Sequence, residues 1–239
     1  MSEQSGKSDR KSLRQEAARR EILRREQALG VPEERQVYVL RQHFDDEGGP
    51  PSLSTAEFAR NIKAGLFTSD VWSHQIKRAP TDWVPPEIVF ESPRRRPQEP
   101  GDFCEILGLM IFSLRARLAL GTMLSEAGIF LPVTSKLGEF VGFRLDAVND
   151  ALDEERATVN WSTNVARTYR YASSISRYAF HTERLVNTPF FRIPVHWHLL
   201  VLHPFMQAAR TAGLTGMTFC RVWPNAGDGS YWSHKPNWC

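Results

Sequence analysis

The stretch from Phe190 to Trp223, FFRIPVHWHLLVLHPFMQAARTAGLTGMTFCRVW, restricts the fold more than any other part of the chain, because it carries its own punctuation. Phe190 to Val195 is aromatic and branched up to Pro194, and Leu199 to Leu202 is a second apolar run; together they predict strand on both sides of a break. Pro204 follows His203 and suits a first helical turn, where the N–H that proline lacks has no partner anyway. Phe205, Ala208, Ala209 and Ala212 then fall on one helical face, and Gly213 stands where a left-handed residue stops a helix. Met217 to Val222 returns to strand composition. This is a folding unit with no catalytic device in it.

The segment Asp102 to Leu131 has the same plan. The apolar run CEILGLMIF leads to Ser113, a plausible N-cap. Leu114, Leu118, Gly121 and Leu124 follow at helical spacing, and Ala127 and Gly128 precede the strand-like IFLPV. SEAGIFLPV and RTAGLTGMTFCRV are two uses of one helix–glycine–strand device. An internal duplication produces such a pair, and so does ordinary α/β punctuation.

The rest of the chain alternates short elements. Lys7 to Leu29 predicts a solvated helix, supported by Glu16 before Arg20 and Glu21 before Arg25, with Gly30 and Pro32 ending it. Strands are expected at Gln36 to Phe44, Glu87 to Glu91, Phe140 to Leu145 and Ser174 to His181, and a short helix from Ser54 to about Ala64. Residues 92–101 and the Trp232- and Trp238-bearing end read as irregular. The expected architecture is α+β: a single mixed domain of short strands and helices over 34–239, behind a charged N-terminal helix or tail over 1–33.

At 41% hydrophobic and 11% aromatic, 239 residues suffice for a sizeable core. The longest apolar run, Ile106 to Phe112, is far short of the roughly 18 residues a bilayer span needs. The N-terminus has no apolar signal core, so a cytoplasmic protein is expected. Cys104, Cys220 and Cys239 form no CxxC pair and fit neither a disulfide framework nor a zinc ribbon; Cys104 and Cys220 are expected as buried thiols and Cys239 as exposed. The net charge of +3 resides in residues 1–26, with eight Lys/Arg against five Asp/Glu, which leaves the body neutral. Interspersed Glu dilutes that basic field, so nucleic acid is not the favoured partner. A nucleic-acid- or membrane-associated adaptor using the Arg-rich helix remains the alternative reading.

Chemistry-bearing clusters are few. His196, His198 and His203 are the weak metal candidates, since strand alternation puts the first two on one face, but packing residues surround them and no carboxylate is near in sequence. No phosphate-binding glycine loop, nucleophile elbow or HExxH motif occurs, so no cofactor and no enzymatic activity are expected. Asp146, Asp150, Asp153, Glu154 and Glu155 form the densest acidic patch. It reads either as a solvated face or as a docking surface for a basic partner.

YVL near the start, FLPV, GFRLDAVNDALDEERATVNW, ISRYAF, FFRIP and AARTAGLTGMTFCRVW, in that order, resemble the bacterial polymorphic-toxin immunity proteins of the immunity protein eleven type, over roughly residues 36–223. The resemblance implies an α+β cytoplasmic protein that binds and neutralises a cognate toxin, a basic nuclease or another secreted effector domain, by occupancy and without catalysis. It transfers no site residue. On charge alone, Asp146, Asp150, Asp153, Glu154 and Glu155 are the candidate contacts, with Trp161 as a candidate buried anchor.

Overall fold

The computed structural model describes residues 30–42, 51–53, 83–90, 101–106, 109–163, 170–185 and 188–224. The expected helices at Lys7 to Leu29 and from Ser54, the arginines 94–96 and the Trp-rich end lie outside them. In chain order the elements are β1 (Val37–Gln42), β2 (Pro51–Leu53), β3 (Glu87–Phe90), β4 (Phe103–Ile106), β5 (Leu109–Ser113), α1 (Leu114–Ala127), β6 (Gly128–Pro132), β7 (Thr134–Ser135) and β8 (Phe140–Leu145). After these come β9 (Thr158–Thr163), β10 (Arg170–Arg177), β11 (Phe190–Ile193), β12 (His196–Leu202), α2 (His203–Thr211) and β13 (Met217–Trp223). This is a mixed α+β fold, dominated by sheet. Among the described residues, no helix is long and apolar enough to cross a membrane.

Two four-stranded sheets have the same plan. One is ordered β4-β5-β8-β6 and the other β11-β12-β1-β13, antiparallel at every pairing. In each, a hairpin (β4–β5, β11–β12) runs into a helix, the helix returns a strand (β6, β13) parallel to the one before it, and a third segment (β8, β1) fills the gap. In the first unit that filler follows β6; in the second it comes from the beginning of the chain. The correspondence extends to single hydrogen bonds. Ser113 N–H donates to Asp102 O (3.0 Å) as Leu202 N–H does to Pro189 O (2.9 Å), and Leu114 N–H donates to Glu139 O (2.9 Å) as His203 N–H does to Gln36 O (3.0 Å). The repeated helix–glycine–strand device is therefore one part of a repeated unit.

Strand alternation gives each sheet two buried faces. Tyr38 and Leu40 of β1, Met110 and Phe112 of β5, and Leu199 and Val201 of β12 join α1 and α2 in a central core, where Phe143 stacks on Phe190 (centroids 6.0 Å) and Phe190 meets Phe205 (5.2 Å). Val37, Val39, Leu200 and Leu202 point the other way, into a second core closed by residues 147–161 and 172–185. Leu109 and Ile111 point into a third with Ile88 and Cys104. A strand buried on both faces reads as a continuous apolar run, which is why LMIF and LLVL show no period of two.

The helices differ in detail from the sequence expectation. On α2, Phe205 and Ala209 are buried as expected, together with Met206, and Gly213 is left-handed (φ 62°). On α1 the buried stripe is Ala116, Leu120, Leu124 and Ala127. Leu114 and Leu118 are 39% and 77% exposed. Of the expected stripe only Leu124 is buried; the helix is turned so that Ala116 and Leu120 face the core in place of Leu114 and Leu118. Gly128 does not stop α1 in a left-handed conformation; it is extended, and a Cβ there would lie 2.0 Å from Arg144 O, so it serves the close approach of β6 to β8.

Other bounds also moved. Pro194 and Val195 form the hairpin turn, so β12 begins at His196 rather than Leu199. The expected strand at Ser174 to His181 is instead β10, Arg170–Arg177, paired with β9, which was not anticipated. Cys104 is a buried free thiol, its pKa pushed up to about 12 by burial and by Glu105. Cys220 is disulfide-bonded, which corrects its reading as a thiol.

The units meet through corresponding elements. α1 packs on α2, and Glu105 of β4 faces Arg192 of β11 at 4.0 Å, two positions that correspond in the two registers. Burial raises the Glu105 pKa and lowers that of Arg192, and their mutual attraction opposes both shifts.

The strongest tie is Asp102, at the start of β4. Its carboxylate accepts from Ser113 Oγ (2.6 Å), Arg115 Nε (3.1 Å) and Nη2 (2.5 Å), Thr215 N–H (2.7 Å) and Thr215 Oγ1 (3.1 Å). Arg115 also donates to Gly213 O at 3.1 Å, just past α2. Burial alone would raise the Asp102 pKa; the hydrogen bonds from Arg115, Ser113 and Thr215 outweigh it and hold the group at about 2. A carboxylate depressed in the folded state stabilises above the ordinary carboxylate range and loses that contribution as pH falls through about 2. Asp102→Asn is expected to cost roughly 2–3 kcal/mol at neutral pH in urea unfolding, and to flatten the stability profile below pH ~4. An unchanged urea midpoint counts against this role.

Candidate functional site

The acidic segment Asp146 to Glu155 has almost no regular structure, yet its backbone is fastened along its length. Asp146 and Ala147 N–H both donate to Ala127 O (3.0 and 2.8 Å) at the end of α1. Ala147 O accepts from Arg192 N–H (3.0 Å), and Asn149 N–H donates to Arg192 O (2.8 Å), a bridge to the edge strand β11. Further along, Ala151 O accepts from His181 N–H (2.8 Å) and Asp153 N–H donates to Ala179 O (2.9 Å). Arg184 donates to Asp150 O and accepts from Asn149 Nδ2, both at 2.9 Å. Ala151 and Leu152 are buried in the second core, which gives the fastening an apolar cause.

The candidate contact residues separate on this frame. Asp150, Glu154 and Glu155 are exposed, with Val148 40% exposed among them. Asp153 is buried: its carboxylate accepts from Arg156 N–H (3.1 Å) and pairs with Arg156 Nη1 (3.4 Å), so it shapes the turn and is not available to a partner. Arginines answer three of the other four acids. Arg144 grips Asp146 with two hydrogen bonds (2.7 and 2.8 Å), Arg170 meets Glu154 at 3.1 Å, and Arg184 approaches Asp150 at 3.9 Å. Burial, opposed by Arg144, raises the Asp146 pKa. Trp161 is half-buried, and the Arg170 guanidinium lies over its ring at 3.2 Å, so that face of the indole is already covered. The surface is a fixed mosaic of both signs instead of a negative field.

The histidine candidates do not assemble into one ligand set. His203 sits at the start of α2 against Tyr38 Oη (3.3 Å) and Glu33 (3.2 Å). His196 and His198 do share a face, rings 4.0 Å apart, both buried. His196 Nδ1 lies 3.1 Å from Ala172 O and donates to it, and His198 Nδ1 is 2.6 Å from Tyr178 Oη. Among the described residues, no group of three His, Cys, Asp or Glu could hold a metal ion. The pair instead fastens β10 and the segment after it to β12. His196 Nε2 is buried without a partner, which a neutral ring tolerates as an unfilled acceptor.

A hollow of about 410 Å³ was not foreseen. Leu114 and Arg117 of α1, Val133, Thr134, Ser135, Gly138, Glu139, Phe140 and Val141 line it. In the sequence Arg117 reads as an ordinary helix arginine, and nothing local marks Glu139; only the approach of α1 to the β7–β8 connection brings them together.

No family model matches the chain, and no curated protein matches it either.

Burial lowers the His196 pKa to about 4, the bond to Ala172 partly opposing; burial, His196 and Arg41 lower that of His198 to about 2. The unfolded chain therefore binds protons first, and stability falls as pH drops below about 6.5, by up to about 1.4 kcal/mol per pH unit per histidine. Comparing urea midpoints of the native chain and His198→Phe from neutral pH to about pH 5 should give a shallower profile for the variant. Parallel profiles would sink this assignment.

Proposed function

We propose that the chain is a non-catalytic immunity protein that neutralises a toxin domain by occupancy, with the exposed side chains of Asp146 to Glu155 and the adjoining β9–β10 hairpin as its contact surface. The observation that carries the reading is the fastening of an irregular, charged segment at both ends and in the middle. Such a loop has lost its conformational freedom during folding, so little ordering cost remains at binding. The alternation of exposed Asp150, Glu154 and Glu155 with Arg170 and Arg184 gives a partner a specific pattern to match, and like-charge mismatch rejects others. Because most acids already have arginine neighbours, long-range steering is weak and fit supplies the specificity. The sequence resemblance to toxin-immunity proteins suggests the class of partner.

The test is co-expression with the product of the neighbouring gene. Protection and a co-purifying complex are expected for the native chain, and both should be lost when Asp150, Glu154 and Glu155 are together replaced by Lys, with circular dichroism unchanged. A truncation beginning at Gly30 should still protect. Loss of protection on that truncation, with the triple variant active, transfers the function to the Arg-rich N-terminus; absence of any complex refutes the immunity reading.

A further inference from the structure

The internal correspondence of the two units shows that the place of the 410 Å³ hollow is covered by chain in the other unit. Leu114 and His203 occupy equivalent places, each donating its backbone N–H to the residue before a central strand. In the second unit the chain leading into β1 forms a short 3-10 turn, Glu33–Arg35, that packs on α2 and sets the Glu33 carboxylate 3.2 Å from His203 Nε2. In the first unit the corresponding residues are Lys136 to Gly138; there β7 pairs with β3, Lys136 Nζ bonds Glu87 at 3.2 Å, and Gly138 is left lining the hollow. The place that a carboxylate-bearing turn fills in one unit stands open in the other.

The walls agree with such an occupant. Leu114 is 39% exposed, and Leu118 and Leu137, on the helix and the connection that line the hollow, are 77% and 51% exposed. Arg117 rests on the Phe130 ring at 5.1 Å and has no carboxylate partner among the described residues, in contrast to Arg115 on Asp102 and Arg144 on Asp146. A buried apolar anchor beside one fixed charge is the arrangement by which short peptide segments are held.

We infer that this hollow is a docking site for a segment of a partner protein that inserts an apolar side chain between Leu114 and Phe140 and sets a neighbouring carboxylate against Arg117. Glu139, on the connection into β8, fixes the direction of the segment by accepting from its backbone or a basic side chain. The inference involves residues other than the Asp146–Glu155 surface and does not depend on it.

The probe is a random peptide library displayed on phage, panned on the full chain and counter-selected on Arg117→Glu/Leu118→Lys. Both positions are exposed, so the variant should keep its circular dichroism. Enriched sequences should pair an acidic with an apolar residue. For a synthetic peptide of that sequence, affinity should fall about tenfold or more, near 1.4 kcal/mol, on Arg117→Glu or on replacing its acid by the amide, and stay unchanged on Asp150→Lys/Glu154→Lys. Peptides that lack an acid or bind the variant equally well overturn the proposal. So does concentration-dependent dimerisation abolished by Leu118→Lys without peptide competition, since the occupant is then a second copy.

Discussion

Asp102 is the residue on which the arrangement of the two units depends. Its carboxylate holds the N-cap serine of α1, the arginine of the first turn of α1 and the backbone after α2 at once. A buried carboxylate is costly unless every lone pair is used, and here hydrogen bonds on both sides of the junction use them. Arg115 then extends the tie to Gly213 O, so the two helices that fill the central core are positioned by one ionised group. Pro189 stands at the corresponding position of the second unit and can make no such contact, so the second unit has no counterpart of this carboxylate.

The duplicated plan explains why the remaining parts of the chain are where they are. Each sheet is apolar on both faces; the helices cover one face of each, and the other needs a separate cover. Residues 147–161 and 172–185 cover the β11-β12-β1-β13 sheet, and they do so as fastened irregular chain plus the paired strands β9 and β10. The candidate contact segment is thus a by-product of covering a core: Ala151, Leu152 and Asp153 face inward, and Asp150, Glu154 and Glu155 are left outside on a rigid frame. The first unit is covered differently, by β3 and its neighbours, and there β7 pairs with β3 while the hollow lies between α1 and the chain leading into β8.

Much of this fold was legible because its elements announce their ends. Pro204, Gly213, Ser113 and the runs LMIF and LLVL place both helices and their flanking strands to within a few residues. β9 is not legible because Thr158–Thr163 is polar and short of branched apolar residues, and the face of α1 is ambiguous because its leucines and alanines fall on more than one side of the helix. The candidate surface was legible only as charge. That Asp153 is interior and that Arg170 and Arg184 answer Glu154 and Asp150 are facts of distance between segments up to 34 residues apart.

The sequence by itself determined the class of fold, the repeated helix–glycine–strand device and the shortage of catalytic motifs, since these follow from local spacing and composition. Tertiary structure alone decided that β1 completes the second unit from the far end of the chain, that Asp102 ties the two units, and that Arg117 and Glu139 share one hollow. The physical reason is the same in each case. Local propensity fixes an element's type and ends, whereas its partners are chosen by burying apolar faces and by satisfying polar groups between residues that the sequence keeps far apart.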